Sequence, residues 1–397
     1  MRIVLIAMHY PPLRSSTAVQ LRDLAQEFRL HGHEVIVVTP DAELDRSWAI
    51  EMLDGVQVLR LASLRTRDTG YVRRTVGEML LSLVMLYGIL RSPFRLDKWD
   101  AIVWWSPSIF LGPLVAAIKR SSNCRSYLIL RDIFPEWAMD LGILRRGVIS
   151  GFFKLVAQYQ YSVADVIGVQ SPSNLSYLAH WPKPGRRLEV LQNWLALAPN
   201  AGSSISVAAT SLAGRTIFVY IGSMGVAQGM DILIDLAVCL RTRRDIGFLF
   251  VGRGNDVPRL RTKVIEHELD NVLFHDEVDS SEMPGLLAQC SIGLVALDPR
   301  HRTHNTPGKF LTYMQAGLPV LARTNAGTDL ADLIEKEGVG RVYVGESLET
   351  FQRMAEQLAD DSVGRSQMAA RGRVLGQRLY SPTAAVRQIV SALSIHA

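Results

Sequence analysis

"LALAPNAGSSISVAATSLAGR", residues 195–215, decides how the chain is divided. The stretch is rich in alanine, serine and glycine, and its one charge is the terminal Arg215. Such a composition reads as a linker. Working outward, the segments on either side share one rhythm. Before it, short apolar runs stand at Ile3–Ala7, Val35–Thr39, Val56–Leu59, Ala101–Trp104, Tyr127–Leu130, Val166–Val169 and Leu188–Leu191. Helical stretches lie between several of them, at Thr17–Leu30, Ile109–Lys119 and Gly147–Ser162. After it, apolar runs restart at Ile217–Ile221, Phe248–Val251, Val272–Phe274, Gly293–Val295, Val320–Ala322 and Val342–Val344. Near-continuous Val/Ile/Leu runs are the mark of parallel strands buried on both faces. Parallel strands need crossovers, and the intervening helices supply them. The reading is an α/β chain of two doubly wound domains, residues 1–195 and 216–380, joined by a linker at 196–215. A C-terminal helix at about 381–397 packs back on the first domain. Ligands of such sheets sit beyond the carboxyl ends of the strands. With two domains, the cleft between them is the expected site.

Composition agrees with this division. A chain of 397 residues is long for one core, and 48% hydrophobic with 20% charged residues is ordinary for a globular protein. Cys124, Cys239 and Cys290 are widely spaced without a CxxC, which fits a reducing compartment and argues against a disulfide frame or a zinc site. The apolar run Ile3–Met8 is too short for a signal peptide and reads as a buried first strand. The longest apolar stretch, Met79–Leu90, has twelve residues, short of the roughly 20 a spanning helix needs. Charge is uneven: residues 1–200 carry net +6 and the remainder −1, with +5 inside Arg60–Lys98 alone. A basic first half points to an anionic partner, whether phosphate, membrane surface or nucleic acid. No motif with interleaved stacking aromatics supports nucleic acid.

Three loops carry the chemistry. "THNTPGKFLTYMQAGLPV" (Thr303–Val320) reads as a helix with Thr306 as N-cap, Pro307 as first residue and Gly317 as stop. Gly308 weakens that helix by roughly 1 kcal/mol relative to alanine. A glycine there allows close approach of an anion to the unpaired N–H groups, and Lys309 adds a positive charge. The alternative is a capped helix with an exposed lysine. "YIGSMGVAQGMDILIDLA" (Tyr220–Ala237) and "FLFVGRGNDVPRL" (Phe248–Leu260) are each a strand, a glycine loop and a helix start. Neither is a full G-x-G-x-x-G. Together with Lys309 they suggest a nucleotide diphosphate held by backbone amides, Arg253 and Lys309. In the first half, "LILRDIFPEW" (Leu128–Trp137) ends a strand with Arg131, Asp132 and Glu136, where catalytic groups are usually placed. "HYPPLRSSTAVQLRDLA" (His9–Ala25) follows the first strand, with Ser15 or Ser16 as candidate helix cap.

These residues together resemble the family 4 retaining glycosyltransferases of GT-B fold, over nearly the whole chain. "RLHGHEVIVVTP" (Arg29–Pro40), "LEVLQNWL" (Leu188–Leu195) and "NVLFHDEVDSSEMPGLLAQCSIGLVAL" (Asn271–Leu297) match successive parts of that family. "RDIFPE", "GSMGVAQGMD" and "PGKFLTYMQAGLPVLA" look most like the bacterial O-antigen and capsule branch that includes N-acetylfucosaminyl transferases. The resemblance implies two Rossmann-like domains facing across a cleft. It implies a nucleotide sugar, expected to be UDP-linked, as donor and a polyprenyl diphosphate-linked acceptor. Donor contacts then fall on Gly222, Ser223, Gln228, Gly252, Arg253, Gly254, His304, Pro307, Gly308, Lys309 and Thr312. Acceptor-side contacts fall on His9, Arg14, Ser15, Ser16 and Glu136, and the catalytic pair is Asp132 with Arg131. Against the family's pattern, its two glutamates are His304 and Thr312 here, and its glycine-loop Arg and Lys are Ser223 and Gln228. Its first-domain histidine is Arg131, and "RSST" (Arg14–Thr17) replaces a glycine pair.

No D-x-D and no ligand cluster with metal spacing occurs, so no metal or other cofactor is expected. The expectation is a cytoplasmic enzyme at the inner face of the membrane, attached through the basic flanks of Met79–Leu90. A nucleotide-sugar epimerase of the same fold is the rival. A dinucleotide oxidoreductase is disfavoured because no full glycine fingerprint follows the first strand.

Overall fold

The computed structural model describes every residue except 14, 67–69, 141–143, 180–184, 197, 201, 226–227, 299–305 and 395–397. Arg14 and His304 therefore lie outside the described residues. The chain forms two compact units, Met1–Asn193 with Pro382–Ala397, and Trp194–Ser381.

The strands of unit 1 are β1 (Arg2–Ile6), β2 (Glu34–Asp41), β3 (Trp48–Leu53), β4 (Val56–Ala62), β5 (Ala101–Ser106), β6 (Arg125–Leu130), β7 (Val166–Val169) and β8 (Arg187–Val190). They form one sheet in the order β3-β4-β2-β1-β5-β6-β7-β8. Every pairing is parallel except β3 with β4. β5 is buried at every position, as a central strand covered on both faces must be. The antiparallel edge strand β3 is the one strand the apolar runs do not announce. It ends in a two-residue turn, with Leu53 paired to Val56 and Asp54 and Gly55 at φ 51° and 78°. Both turn residues need left-handed backbone, and Asp-Gly tolerates it best.

Helices Tyr71–Arg91, Gly112–Ser122 and Val148–Val163 cross from β4 to β5, β5 to β6 and β6 to β7. All three run the same way across the sheet, so right-handed crossovers put them on one face, where they pack side by side. Ser16–Leu30 crosses the opposite way and packs with the C-terminal helix Pro382–Ser394. That last helix is pinned by Thr383 Oγ1 donating to Glu27 at 2.5 Å and by Gln388 Nε2 donating to Glu189 and to the Val190 carbonyl at 2.9 and 2.8 Å.

Unit 2 has β9 (Thr216–Ile221), β10 (Ile246–Val251), β11 (Val272–His275), β12 (Ile292–Ala296), β13 (Val320–Arg323) and β14 (Gly340–Tyr343), all parallel, in the order β11-β10-β9-β12-β13-β14. Alternation along β9 builds two core layers: Ile217, Val219 and Ile221 join Phe310 and Tyr313, while Phe218 and Tyr220 join Leu233 and Phe250.

The stretch 196–215 is not a free connector. Ile205, Val207 and Leu212 are buried in the core of unit 2. Gln289 grips this segment, its amide donating to Ile205 O and accepting from Val207 N–H, both at 2.9 Å. The average composition resembles a linker, but three apolar side chains among the small ones are enough to bury it. The chain passes between units at Asn193–Trp194 and again at Ser381–Pro382.

Candidate active site

In unit 2 the strand order reverses between β9 and β12, so their carboxyl ends open the crevice where doubly wound sheets take ligands. The loop after β9, the loop after β10 and the helix that follows β12 meet there. That helix is Gly308–Ala316, with Pro307 at ψ 138° as its N-cap and Gly317 at φ 70° ending it. Thr306 and Pro307 thus each stand one place further out than expected, because proline's extended ψ keeps it outside the helix. No side chain caps this start among the described residues; Phe310 N–H is taken by Pro307 O at 3.0 Å, and the positive end of the helix dipole lies at Gly308 and Lys309. A Cβ built on Gly308 would meet nothing within 4 Å. Thr312, one turn on, donates to Gly308 O at 3.3 Å.

Lys309 is held over an aromatic ring. Its Nζ donates to Tyr220 Oη at 3.0 Å and lies 4.4 Å from the ring centroid. Tyr220 in turn donates to Ser223 O at 2.8 Å, in the glycine loop after β9. Burial pushes the ammonium down to about 8, and no acidic neighbour among the described residues offsets it. A cation–π contact returns roughly 2 kcal/mol when desolvated, less than a buried charge loses. A lysine kept in that state is suited to an anion. The helix itself is set by Tyr313, whose hydroxyl donates to Val219 O at 3.0 Å, with Leu294 O at 3.3 Å, and accepts from Ile221 N–H at 3.1 Å. That one phenol ties the helix to β9 and β12. Gly293 leaves room for its ring. Tyr220 and Tyr313 have no local signature for these tasks: the lysine that Tyr220 holds and the β9 groups that Tyr313 holds lie 89 to 94 residues away.

The glycines divide into two kinds. Gly222 N–H donates to Val251 O and Met224 N–H to Arg253 O, both at 2.9 Å, so the loops after β9 and β10 zip together. A Cβ on Gly252 would strike the Gly222 carbonyl, and one on Gly254 the Met224 carbonyl. Gly252 and Gly254 are therefore glycines for loop packing. Gly222, at φ 101°, faces open space. Gln228 folds back, its Oε1 accepting from Gly225 N–H at 2.9 Å. Ser223 and Arg253 are exposed. Arg253 pairs with Glu277 at 2.9 Å, so a diphosphate role would require it to change partners. Beneath the loops, Arg259 clasps Asp231 and Asp256 at 2.7 Å each, joining the starts of helices Asp231–Cys239 and Val257–Glu266.

In unit 1 the order reverses between β1 and β5. His9, after β1, is half-buried; Ser15 caps Ser16–Leu30 by accepting from Ala18 N–H at 3.2 Å. Arg131, after β6, is buried and stacked on Trp105 at 5.1 Å. It donates to Leu191 O at 2.7 Å and Gln192 O at 3.3 Å. Burial lowers its pKa to about 9, leaving it charged at neutral pH. These bonds turn the guanidinium into the fold. Asp132, beside it, keeps exposed surface, yet the protein around it displaces enough water to raise its pKa against the pull of Arg131. Glu136 opens the short helix Glu136–Asp140, half-buried near Tyr161. Among the described residues no three His, Cys, Asp or Glu side chains are grouped to hold a metal.

Residues 215–361 match the family model described as "Glycosyl transferases group 1". The chain is similar to WbjE of Pseudomonas aeruginosa, named as a glycosyltransferase, with 23% identity over 219 residues. That match spans 54% of each chain, so about half of the relative's length is covered. It is also similar, at 21% identity over 88% of this chain and 90% of the other, to WcaI of Escherichia coli (strain K12), which carries the name of a colanic acid biosynthesis glycosyl transferase. Among solved structures, Anabaena Alr3699/HepE in complex with UDP superposes with a TM-score of 0.68 at 15% identity, covering 99% of this chain and 100% of that one. The glycine loops, Lys309 and the helix it starts all lie inside the matched residues 215–361; the chain has the GT-B fold, and its second unit matches the glycosyl transferase group 1 model.

Proposed function

We propose that the protein moves a sugar from a nucleoside diphosphate to a lipid-linked saccharide acceptor in cell-surface polysaccharide synthesis, with retention at the anomeric carbon. The observation that carries this reading is Lys309, a cation without an acidic partner among the described residues, tied through Tyr220 to the Gly222–Ser223 loop at the helix start. Lys309 and the Gly308 helix start neutralise the leaving diphosphate as the sugar–oxygen bond breaks and its electron pair passes to the phosphate oxygen. The acceptor hydroxyl then attacks from the face the diphosphate leaves. Its proton passes to Asp132 or to the departing oxygen. Arg131 positions Asp132 by fixing the end of β6 on Leu191 and Gln192. The positive charge comes from the protein, so the reaction runs without a metal cofactor.

The name of WbjE supports glycosyl transfer, that of WcaI a polysaccharide pathway, and the UDP bound to HepE a UDP-linked donor. The sugar best suited to the resemblance is N-acetylfucosamine or a related deoxy amino sugar. The basic first unit brings the enzyme to the acceptor's membrane, at the cytoplasmic leaflet. Isothermal titration with UDP tests the site. Lys309→Ala weakens binding by roughly 1.5–3 kcal/mol, the range for a hydrogen bond to a charged group. Equal affinities for mutant and wild type would remove the phosphate role and leave an ordinary helix start.

A further inference from the structure

Helix Val148–Val163 presents Val148, Ile149, Phe152, Leu155 and Tyr159 to solvent, with Val148 92%, Ile149 65% and Leu155 66% exposed. The spacing 148, 152, 155, 159 is one stripe of an α-helix, about 16 Å long at 1.5 Å per residue. The other side of the helix is anchored: Ala157 and Tyr161 are buried, and Phe153 meets Phe110 and Phe134 at centroid distances of 6.5 and 5.1 Å. From Leu141 to Ala164 there are three basic side chains, Arg145, Arg146 and Lys154, and no acidic one. All three are exposed.

Helix Tyr71–Arg91 repeats the arrangement. Val76, Met79, Leu83, Tyr87 and Leu90 are exposed along one stripe while Leu81 and Met85 are buried. Arg73, Arg74, Arg91 and Arg95 flank it, all exposed, with Arg91 lying over the Tyr87 ring at 4.7 Å. Both helices pack on the turn Ile109–Leu111, where Ser82 donates to Phe110 O at 2.5 Å. The two helices therefore flank one turn on one face of the unit 1 sheet. Monomeric soluble proteins rarely leave contiguous apolar surface of this kind uncovered. Exposed apolar stripes with a basic excess along their edges, Glu78 being the one acidic residue of the Tyr71–Arg91 helix and paired with Arg74 at 2.9 Å, fit a surface that is apolar inside and anionic outside. No helix among the described residues is long and apolar enough to cross a membrane.

We propose that helix Val148–Val163 is the membrane-seating element of unit 1, entering the headgroup boundary of an anionic leaflet with its apolar stripe while Arg145, Arg146 and Lys154 meet the phosphates. The Tyr71–Arg91 helix extends the same footing. This deepens the peripheral attachment proposed above and rests on it.

The test is co-sedimentation of the full chain with vesicles of equal parts phosphatidylglycerol and phosphatidylcholine. Wild type sediments, and the triple variant Val148→Ser, Ile149→Ser, Leu155→Ser partitions roughly tenfold less or weaker still. Those positions are exposed, so its melting temperature and UDP affinity stay at wild-type values. If the triple variant binds like wild type while Arg73→Gln, Arg74→Gln, Arg91→Gln, Arg95→Gln together release the protein, the helix assignment is overturned and attachment by charge stands. If wild type binds no vesicles yet glycosylates a water-soluble acceptor, both readings fall. If wild type ignores vesicles and sediments as a dimer while the triple variant is a monomer, the face belongs to a second copy and the inference is overturned.

Discussion

Lys309 is the residue whose chemistry is most exposed to test, because three contacts on one phenol determine it. Tyr220→Phe keeps the ring but removes the hydroxyl that accepts from Lys309 and donates to Ser223. UDP affinity falls by about 0.5–1.5 kcal/mol, less than for loss of the lysine itself. Affinity also falls as pH rises through about 8, where the free lysine loses its charge; a flat profile between pH 7 and 9 would contradict a charged partner. Stability moves the other way. A lysine pKa of about 8 in the fold, against 10.5 unfolded, costs stability below 8 and releases that cost as pH rises toward 10.5. Asp132→Asn removes charge and basicity at constant shape. Turnover drops 10²–10⁴-fold if it is the general base, with UDP affinity intact. Wild-type turnover would reduce Asp132 to a neighbour of Arg131. If Asp132 is the general base, its raised pKa sets the acid limb of turnover above the ordinary carboxylate range, read from a pH–rate profile.

At the scale of elements, the two kinds of glycine separate in a pair of variants. Gly254→Ala drives a methyl into the Met224 carbonyl and costs roughly 1–3 kcal/mol of stability, read as a lowered melting temperature. Gly308→Ala meets open space at a helical position and raises stability by up to about 1 kcal/mol, while lowering UDP affinity by crowding the anion. If Gly308→Ala left affinity unchanged, close approach at the helix start would be ruled out. Most of these elements were legible from apolar runs, because a parallel strand buried on both faces has no polar alternation to confuse it. β3 was not, since Trp48–Leu53 is a half-exposed edge strand, although the Asp54-Gly55 pair before Val56 was the available signal. The glycine loops were legible as loops, but not their division of labour. That depends on Gly252 and Gly254 lying against Gly222 and Met224, a contact between strands separated by a whole helix. Segment 196–215 misled for the opposite reason. Its small residues spoke for a connector, and the burial of Ile205, Val207 and Leu212 depends on where Gln289 lies.

For the whole molecule, the charge division read from sequence has a structural counterpart: the basic excess belongs largely to unit 1, and the glycine loops to unit 2. Lys309 was named from its helix start, but Tyr220 beneath it could not be, being 89 residues away. From its place after a strand Arg131 reads as catalytic; what could not be read locally are its bonds to the Leu191 and Gln192 carbonyls, 60 and 61 residues away. Because the cationic groups are Lys309 and the helix start, turnover survives EDTA; a strict need for added Mg²⁺ or Mn²⁺ would contradict that assignment. The most direct test of the central claim is a transfer assay with a panel of labelled UDP-sugars, with and without a lipid-diphosphate-linked saccharide. The account predicts labelled lipid and free UDP in equal amounts, with retained anomeric configuration, and only when the acceptor is present. An epimerised nucleotide sugar formed without acceptor, or no transfer from any donor, would contradict it.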